Sequence, residues 1–119
     1  KRCSLAVVAS GTVTLEAAIC GTPIIIVYKI SPVSALIAKL LVKVKHIGLV
    51  NLIAGKDIAP ELVQEQATAE NIRDSVLQLL DDADGLEVQR REMLKIKDLL
   101  GGPGASARVA EIAMNMLQR

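Results

Sequence analysis

Leu5-Ala6-Val7-Val8-Ala9-Ser10-Gly11-Thr12-Val13-Thr14-Leu15-Glu16 is the stretch whose reading decides the fold. Five apolar residues run without interruption and stop at a turn of small residues. A short continuous apolar run predicts a strand buried on both faces, as in a parallel sheet. Residues 13–20 predict a helix, stopped by Gly21 with Pro23 close behind. Ile24 to Tyr28 is apolar and mostly β-branched, and predicts the next buried strand. Residues 5–28 therefore read as a β-α-β unit, the element of a doubly wound α/β fold.

Working outward, Ser31-Pro32 opens an expected helix over residues 33–42, since Pro is tolerated at a helix start. Residues 47–50 are expected as a third short strand, and Asn51 to Pro60 as a loop carrying Gly55. Glu61 is expected to begin a short helix or turn. Residues 69–80 have Ile72, Val76, Leu79 and Leu80 at helical spacing. Residues 86–100 and 105–118 predict two further helices, parted by Gly101-Gly102-Pro103-Gly104. Three strands at most are visible, where a doubly wound sheet normally has about five or six. The fold class expected is thus α/β: a partial Rossmann-like parallel sheet with flanking helices and a helical C-terminal tail. Residues 1–119 are read as one lobe, the back half of such a domain, with its front half absent.

Composition narrows the function classes. The chain is 51% hydrophobic and 23% charged, which is globular and argues against disorder. Tyr28 is the single aromatic residue, so stacking platforms for single-stranded nucleic acid are missing. The net charge of +1 gives no global field, and no nucleic-acid partner is expected. Residues 1–59 nevertheless hold seven Lys/Arg against Glu16 and Asp57, so an anionic ligand fits the first half better. Cys3 and Cys20 lie in apolar surroundings without a CxxC or His partner, and are expected as reduced core residues. No signal peptide and no apolar run of about 18 residues is visible, so no membrane crossing is expected.

Three constellations could carry chemistry. At Ser10-Gly11-Thr12, Gly11 lets backbone come close to a ligand, and free N–H groups at the helix start favour an anion such as a phosphate. Ser10, Thr12 and Thr14 add hydroxyls. Glu16, one turn in, can accept hydrogen bonds from a ribose diol. The alternative is a capped helix with a solvated Glu, and these residues alone leave the two readings even. No GxxxxGK[ST] and no GxGxxG is present, which disfavours a P-loop ATPase or a dinucleotide dehydrogenase. The second constellation is Asn51-Leu52-Ile53-Ala54-Gly55 with Pro60-Glu61-Leu62-Val63-Gln64. On a helix Glu61 and Gln64 share a face and suit sugar hydroxyls, with capping and solvation as the alternative. The third is Leu36 to Lys45, where Lys39, Lys43 and Lys45 stand among aliphatics. It reads as a contact to an anionic membrane surface or, more simply, as a helix with snorkelling lysines. His46 is the only histidine, so a metal site is not expected, and no carboxylate can be assigned to orient it.

Together these segments resemble lipid-A-disaccharide synthase. The resemblance rests on Ala9 to Ala18, Gly21-Thr22-Pro23, Val27 to Pro32, Ala38 to Lys43, Asn51 to Gly55 and Pro60 to Gln64, in that order and spacing. It is strong from Leu5 to Gln66 and weaker through the tail. A proline commonly precedes the Asn of the third motif in that family, where this chain has Val50.

The resemblance implies a GT-B architecture of two Rossmann-like lobes, of which this is the C-terminal, nucleotide-sugar-binding one. It implies an inverting transfer, without cofactor or metal. The donor is UDP-2,3-diacylglucosamine and the lipid acceptor is 2,3-diacylglucosamine 1-phosphate. Ser10, Gly11 and Thr12 would face the diphosphate, Glu16 the ribose, and Asn51 the donor sugar or diphosphate, with Glu61 and Gln64 nearby. The catalytic base and the acceptor site would lie in the N-terminal lobe, outside this chain. The resemblance further implies a cytoplasmic, peripheral position at the inner membrane and a homodimer that exchanges C-terminal regions. Two alternatives stay open. One is a lobe of another UDP-sugar enzyme, such as an undecaprenyl-linked transferase or an epimerase. The other is a non-catalytic dimerisation or membrane-attachment module.

Overall fold

A computed structural model describes residues 3–31 and 46–117. The expected helix over 33–42 and the Lys39–Lys45 stretch lie outside the described residues. The elements in chain order are β1 (Ala6–Ala9), α1 (Val13–Ile19), β2 (Ile24–Tyr28), α2 (Leu49–Ala54), β3 (Glu61–Val63), a 3-10 turn (Gln64–Gln66), α3 (Ala69–Asp81), α4 (Ala83–Leu99) and α5 (Ala105–Leu117). The three strands form one parallel sheet in the order β1-β2-β3. Val8 stands opposite Ile26, and Ile26 opposite Glu61. The α/β class is as expected.

The β-α-β unit forms where the sequence places it, and its turn chemistry shows why. Gly21 takes a left-handed φ of 62° after α1. Its N–H donates to Ala18 O at 2.9 Å, and the Thr22 N–H donates to Ala17 O at 2.9 Å. This is the paired closure that lets a helix end and the chain reverse into a strand. A side chain at Gly21 would also press on Leu94.

Period-2 alternation sends Ala6, Val8, Ile24 and Ile26 to one face of the sheet. There Ile24 and Ile26 pack with Ala18 of α1, Val50 of α2, Ala59, and Met93 and Ile96 of α4. Each fully buried aliphatic side chain of this size contributes roughly 1.5–3 kcal/mol. On the opposite face Val7 is 46% exposed and Ala9 is exposed. The expectation that β1 is covered on both faces is therefore corrected: helices of the described chain cover one face of it.

Three more expectations change. Residues 47–50 are not a strand; Leu49 onward is helical, and the third strand is Glu61–Val63. A short apolar run does not by itself separate strand from helix. Here the Glu61 carboxylate accepts the Ile47 and Gly48 N–H groups at 2.9 and 3.1 Å, which serves as a cap for α2. Glu61 consequently does not open a helix, and only residues 55–60 of the expected loop are irregular. Cys3 and Cys20 are not core residues, since both are exposed. Apolar sequence neighbours do not bury a residue at a helix end or ahead of the first strand.

The helices after β3 follow expectation, with one shift. α4 starts at Ala83 rather than 86, because Asp82 Oδ1 accepts the Gly85 N–H at 2.8 Å and caps it. Met93 and Ile96 anchor α4 on the sheet. Gln89 adds a polar tie, its Nε2 donating to Ile24 O at 2.8 Å. α5 follows the glycine-rich break and is exposed along its whole described length.

Candidate functional site

The Ser10-Gly11-Thr12 turn sits at the C-terminal end of β1, beside the ends of β2 and β3. This is the edge where open α/β sheets take ligands. Gly11 has a φ of 147°, and the position a Cβ would occupy opens onto free space. Among the described residues, no acceptor meets the N–H groups of Gly11, Thr12 and Val13. Thr12 is exposed, and its side chain makes no capping bond. Glu16 is exposed one turn further on. Three consecutive free donors, a free hydroxyl and a carboxylate are thus presented together, which is a donor-rich edge for an anion.

The other two hydroxyls of the turn are engaged. Thr14 is buried, and its Oγ1 donates to Gly11 O at 2.7 Å. Ser10 Oγ donates to Ile47 O at 3.2 Å, and the Ser10 N–H donates to Val27 O at 3.3 Å. Ser10 is therefore held on two sides.

Asn51, Glu61 and Gln64 are placed differently from the sequence reading. Asn51 lies inside α2, fully buried. Its Nδ2 donates to Ala59 O at 2.8 Å and to Glu61 Oε1 at 2.7 Å. Its Oδ1 accepts the Ile58 and Ala59 N–H groups, both at 2.9 Å. All four hydrogen-bonding positions of this amide are filled within the chain. Glu61 takes three donors, from Ile47, Gly48 and Asn51. Gln64 does not share a helix face with Glu61. It follows β3 at a left-handed φ of 53°, an uncommon conformation for a residue with a side chain. Its Oε1 accepts the Ile30 N–H at 2.8 Å, and its Nε2 donates to Ile30 O at 3.4 Å. These three residues stitch together the segments around the strand ends.

His46 is 7% exposed, with Nδ1 2.9 Å from Asp57 Oδ1. This close contact is not a directed hydrogen bond. The carboxylate that sequence could not assign to His46 is thus Asp57, eleven positions on. Among the described residues, no group of three His, Cys, Asp or Glu side chains is placed to hold a metal ion. No described helix is long and apolar enough to cross a membrane.

A hollow of about 800 Å³ lies between Ile47, residues 56–60, β3, α3 and α4. Lys56 and Glu92 line it and pair at 2.6 Å. The Lys56 ammonium, and after it that of Lys95, holds the Glu92 carboxyl below its ordinary value of 4.5. A lowered folded-state value means that this carboxylate stabilises the fold above the ordinary range, and that the contribution is lost as pH falls through the lowered value. Glu92→Gln is expected to lower the urea midpoint near neutral pH and to leave it unchanged well below pH 4.5. Equal midpoint losses at both pH values would refute this.

The chain matches the family model described as Lipid-A-disaccharide synthetase over residues 1–114. It is similar to curated lipid-A-disaccharide synthases. It is 46% identical to that of Syntrophus aciditrophicus (strain SB) over 114 residues, covering 96% of this chain and 30% of the relative. It is 43% identical to that of Trichlorobacter lovleyi over 119 residues, covering 100% and 31%. It is 42% identical to that of Geobacter metallireducens over 115 residues, covering 97% and 30%. The chain thus spans about 30% of the length of the curated relatives it matches.

Proposed function

The chain belongs to the lipid-A-disaccharide synthase family, and from that premise we propose that it is the UDP-sugar-binding lobe of an inverting glycosyltransferase of lipid A biosynthesis. The observation that carries this is the row of free N–H groups at Gly11, Thr12 and Val13, with Thr12 and Glu16 beside it. The diphosphate accepts hydrogen bonds from the turn, and Glu16 accepts them from the ribose hydroxyls. Ser10 belongs to the same turn. Asn51, Glu61 and Gln64 hold the neighbouring segments and serve the site by position, since Asn51 has no hydrogen-bonding capacity left over.

In the whole reaction a hydroxyl of 2,3-diacylglucosamine 1-phosphate attacks the anomeric carbon of UDP-2,3-diacylglucosamine. The new β-1,6 glycosidic bond forms as the bond from that carbon to the diphosphate oxygen breaks. UDP departs, and the hydroxyl proton passes to a base. This lobe supplies the donors that take up the charge growing on the leaving diphosphate. The base and the acceptor belong to the other lobe of the longer relatives. The enzyme works at the cytoplasmic face of the inner membrane as a peripheral protein.

A second reading is supported by α5. Val109, Ile112, Met114, Met116 and Leu117 are all more than half exposed, and aliphatic surface of this kind favours association. The lobe forms a homodimer through this tail.

Calorimetric titration with UDP tests the main reading. The chain binds UDP, and Glu16→Ala weakens binding by about 1–3 kcal/mol, as for a lost charge-assisted hydrogen bond. No binding by either chain, or equal binding by both, overturns the assignment.

A further inference from the structure

Glu61 is a carboxylate with only donors around it. Its Oε2 accepts the Ile47 N–H at 2.9 Å, and its Oε1 accepts the Gly48 N–H at 3.1 Å and Asn51 Nδ2 at 2.7 Å. The peptide so held ends in the Ile47 carbonyl, which takes the Ser10 hydroxyl at 3.2 Å. Ser10 immediately precedes Gly11, the residue with the least restricted backbone in the turn, and the free N–H groups begin at Gly11. There is little room for the 47–48 segment to settle elsewhere. A Cβ at Gly48 would collide with Cδ1 of the buried Ile26 and lie 3.1 Å from Glu61 Oε1. Asn51 completes the hold from below, because it fixes Glu61 Oε1 and the Ile58–Ala59 backbone at once.

We propose that Glu61 is a positioning residue for the diphosphate turn, acting through the Ile47–Gly48 peptide and the Ser10 hydroxyl. This rests on the reading that the turn binds the donor diphosphate. Glu61 acts through the backbone that it holds. Its three hydrogen bonds fix the Ile47 carbonyl, the carbonyl fixes Ser10, and Ser10 fixes the direction from which the Gly11, Thr12 and Val13 N–H groups face outward. Donors held in place before binding lose less freedom when the anion arrives. A carboxylate suits this post because it accepts only. The glutamine isostere has one oxygen, and its NH₂ would face either the Ile47 N–H or the Gly48 N–H together with the Asn51 amide.

The test is a double-mutant cycle read by UDP titration: parent, Glu61→Gln, Ser10→Ala and both together. Glu61→Gln should weaken UDP binding by about three- to tenfold in the parent. In the Ser10→Ala background the same change should have no further effect, because the link is already cut. Equal losses in both backgrounds would mean general loosening and would overturn the proposal.

A second arm needs no ligand. In the ¹³C and ¹⁵N spectra of the free chain, Glu61→Gln should shift the Ser10 Cβ and the Gly11–Val13 amides. Ser10→Ala, which removes one hydroxyl and leaves Glu61 satisfied, should shift the Ile47 and Gly48 amides in return. Ile47 signals that stay put in Ser10→Ala refute the linkage even if Glu61→Gln does not fold. Should the parent bind no UDP at all, the donor-site reading fails by itself, while these spectra still decide whether Glu61 governs the turn.

Discussion

Asn51→Asp is expected to destabilise the chain by about 3 kcal/mol near neutral pH, as read from urea unfolding. The substitution keeps the shape and replaces the Nδ2 donor by an acceptor. That nitrogen serves Ala59 O and Glu61 Oε1 in a fully buried setting. After the change a second carboxylate faces Glu61 at hydrogen-bonding distance, and the Ala59 carbonyl loses its partner. Like charge and burial both push the introduced carboxyl above its unfolded value. A raised folded-state value makes the penalty largest above it and relieves it as protons bind. The gap between variant and parent should therefore narrow as the pH falls, once one proton between the two carboxyls restores a donor. A gap of constant size across the acid range would show that charge is not the cause, and an unchanged midpoint would show that the amide is dispensable.

Met93→Ala is expected to cost about 2–5 kcal/mol, the range for truncating a large side chain in a closed core. Met93 has no exposed surface and lies with Ile24, Ile26 and Ala18 where α4 crosses the sheet. Its neighbours in this cluster are themselves buried, so little other structure can collapse into the space. Leu99→Ala on the same helix is the control, because Leu99 is 67% exposed and should change stability by well under about 1 kcal/mol. Similar losses for the two variants would mean that α4 is not anchored where the packing shows.

How much of this was legible in the sequence depended on whether the signal was local. The strand at Ala6–Ala9, the Gly21 closure, the strand at Ile24–Tyr28 and the capped helices after Thr68 all follow from residues within a few positions of one another. The third strand was misplaced because its partner sits 35 residues earlier in the chain, at Ile26 opposite Glu61. Three residues without helical or strand periodicity carry no pattern of their own. The candidate site divides in the same way. Thr12 and Glu16 are exposed and Gly11 is half-buried at the turn that the strand-turn-helix segment predicts. The work of Asn51, Glu61 and Gln64 was invisible, since each spends its hydrogen bonds on partners 7 to 34 positions away. Gln89 and the Ile47–Gly48 peptide gave no signal either, because a backbone amide looks the same in every sequence.

The C-terminal helix Ala105–Leu117 has no buried residue, and Gly101 and Gly104 at positive φ lead into it. Free energies at sites that share no partner add. A change of side chain along this helix therefore alters whatever it associates with while leaving the folding free energy of the sheet where it was. Fold maintenance and assembly become separately variable traits, and drift can retune one without testing the other.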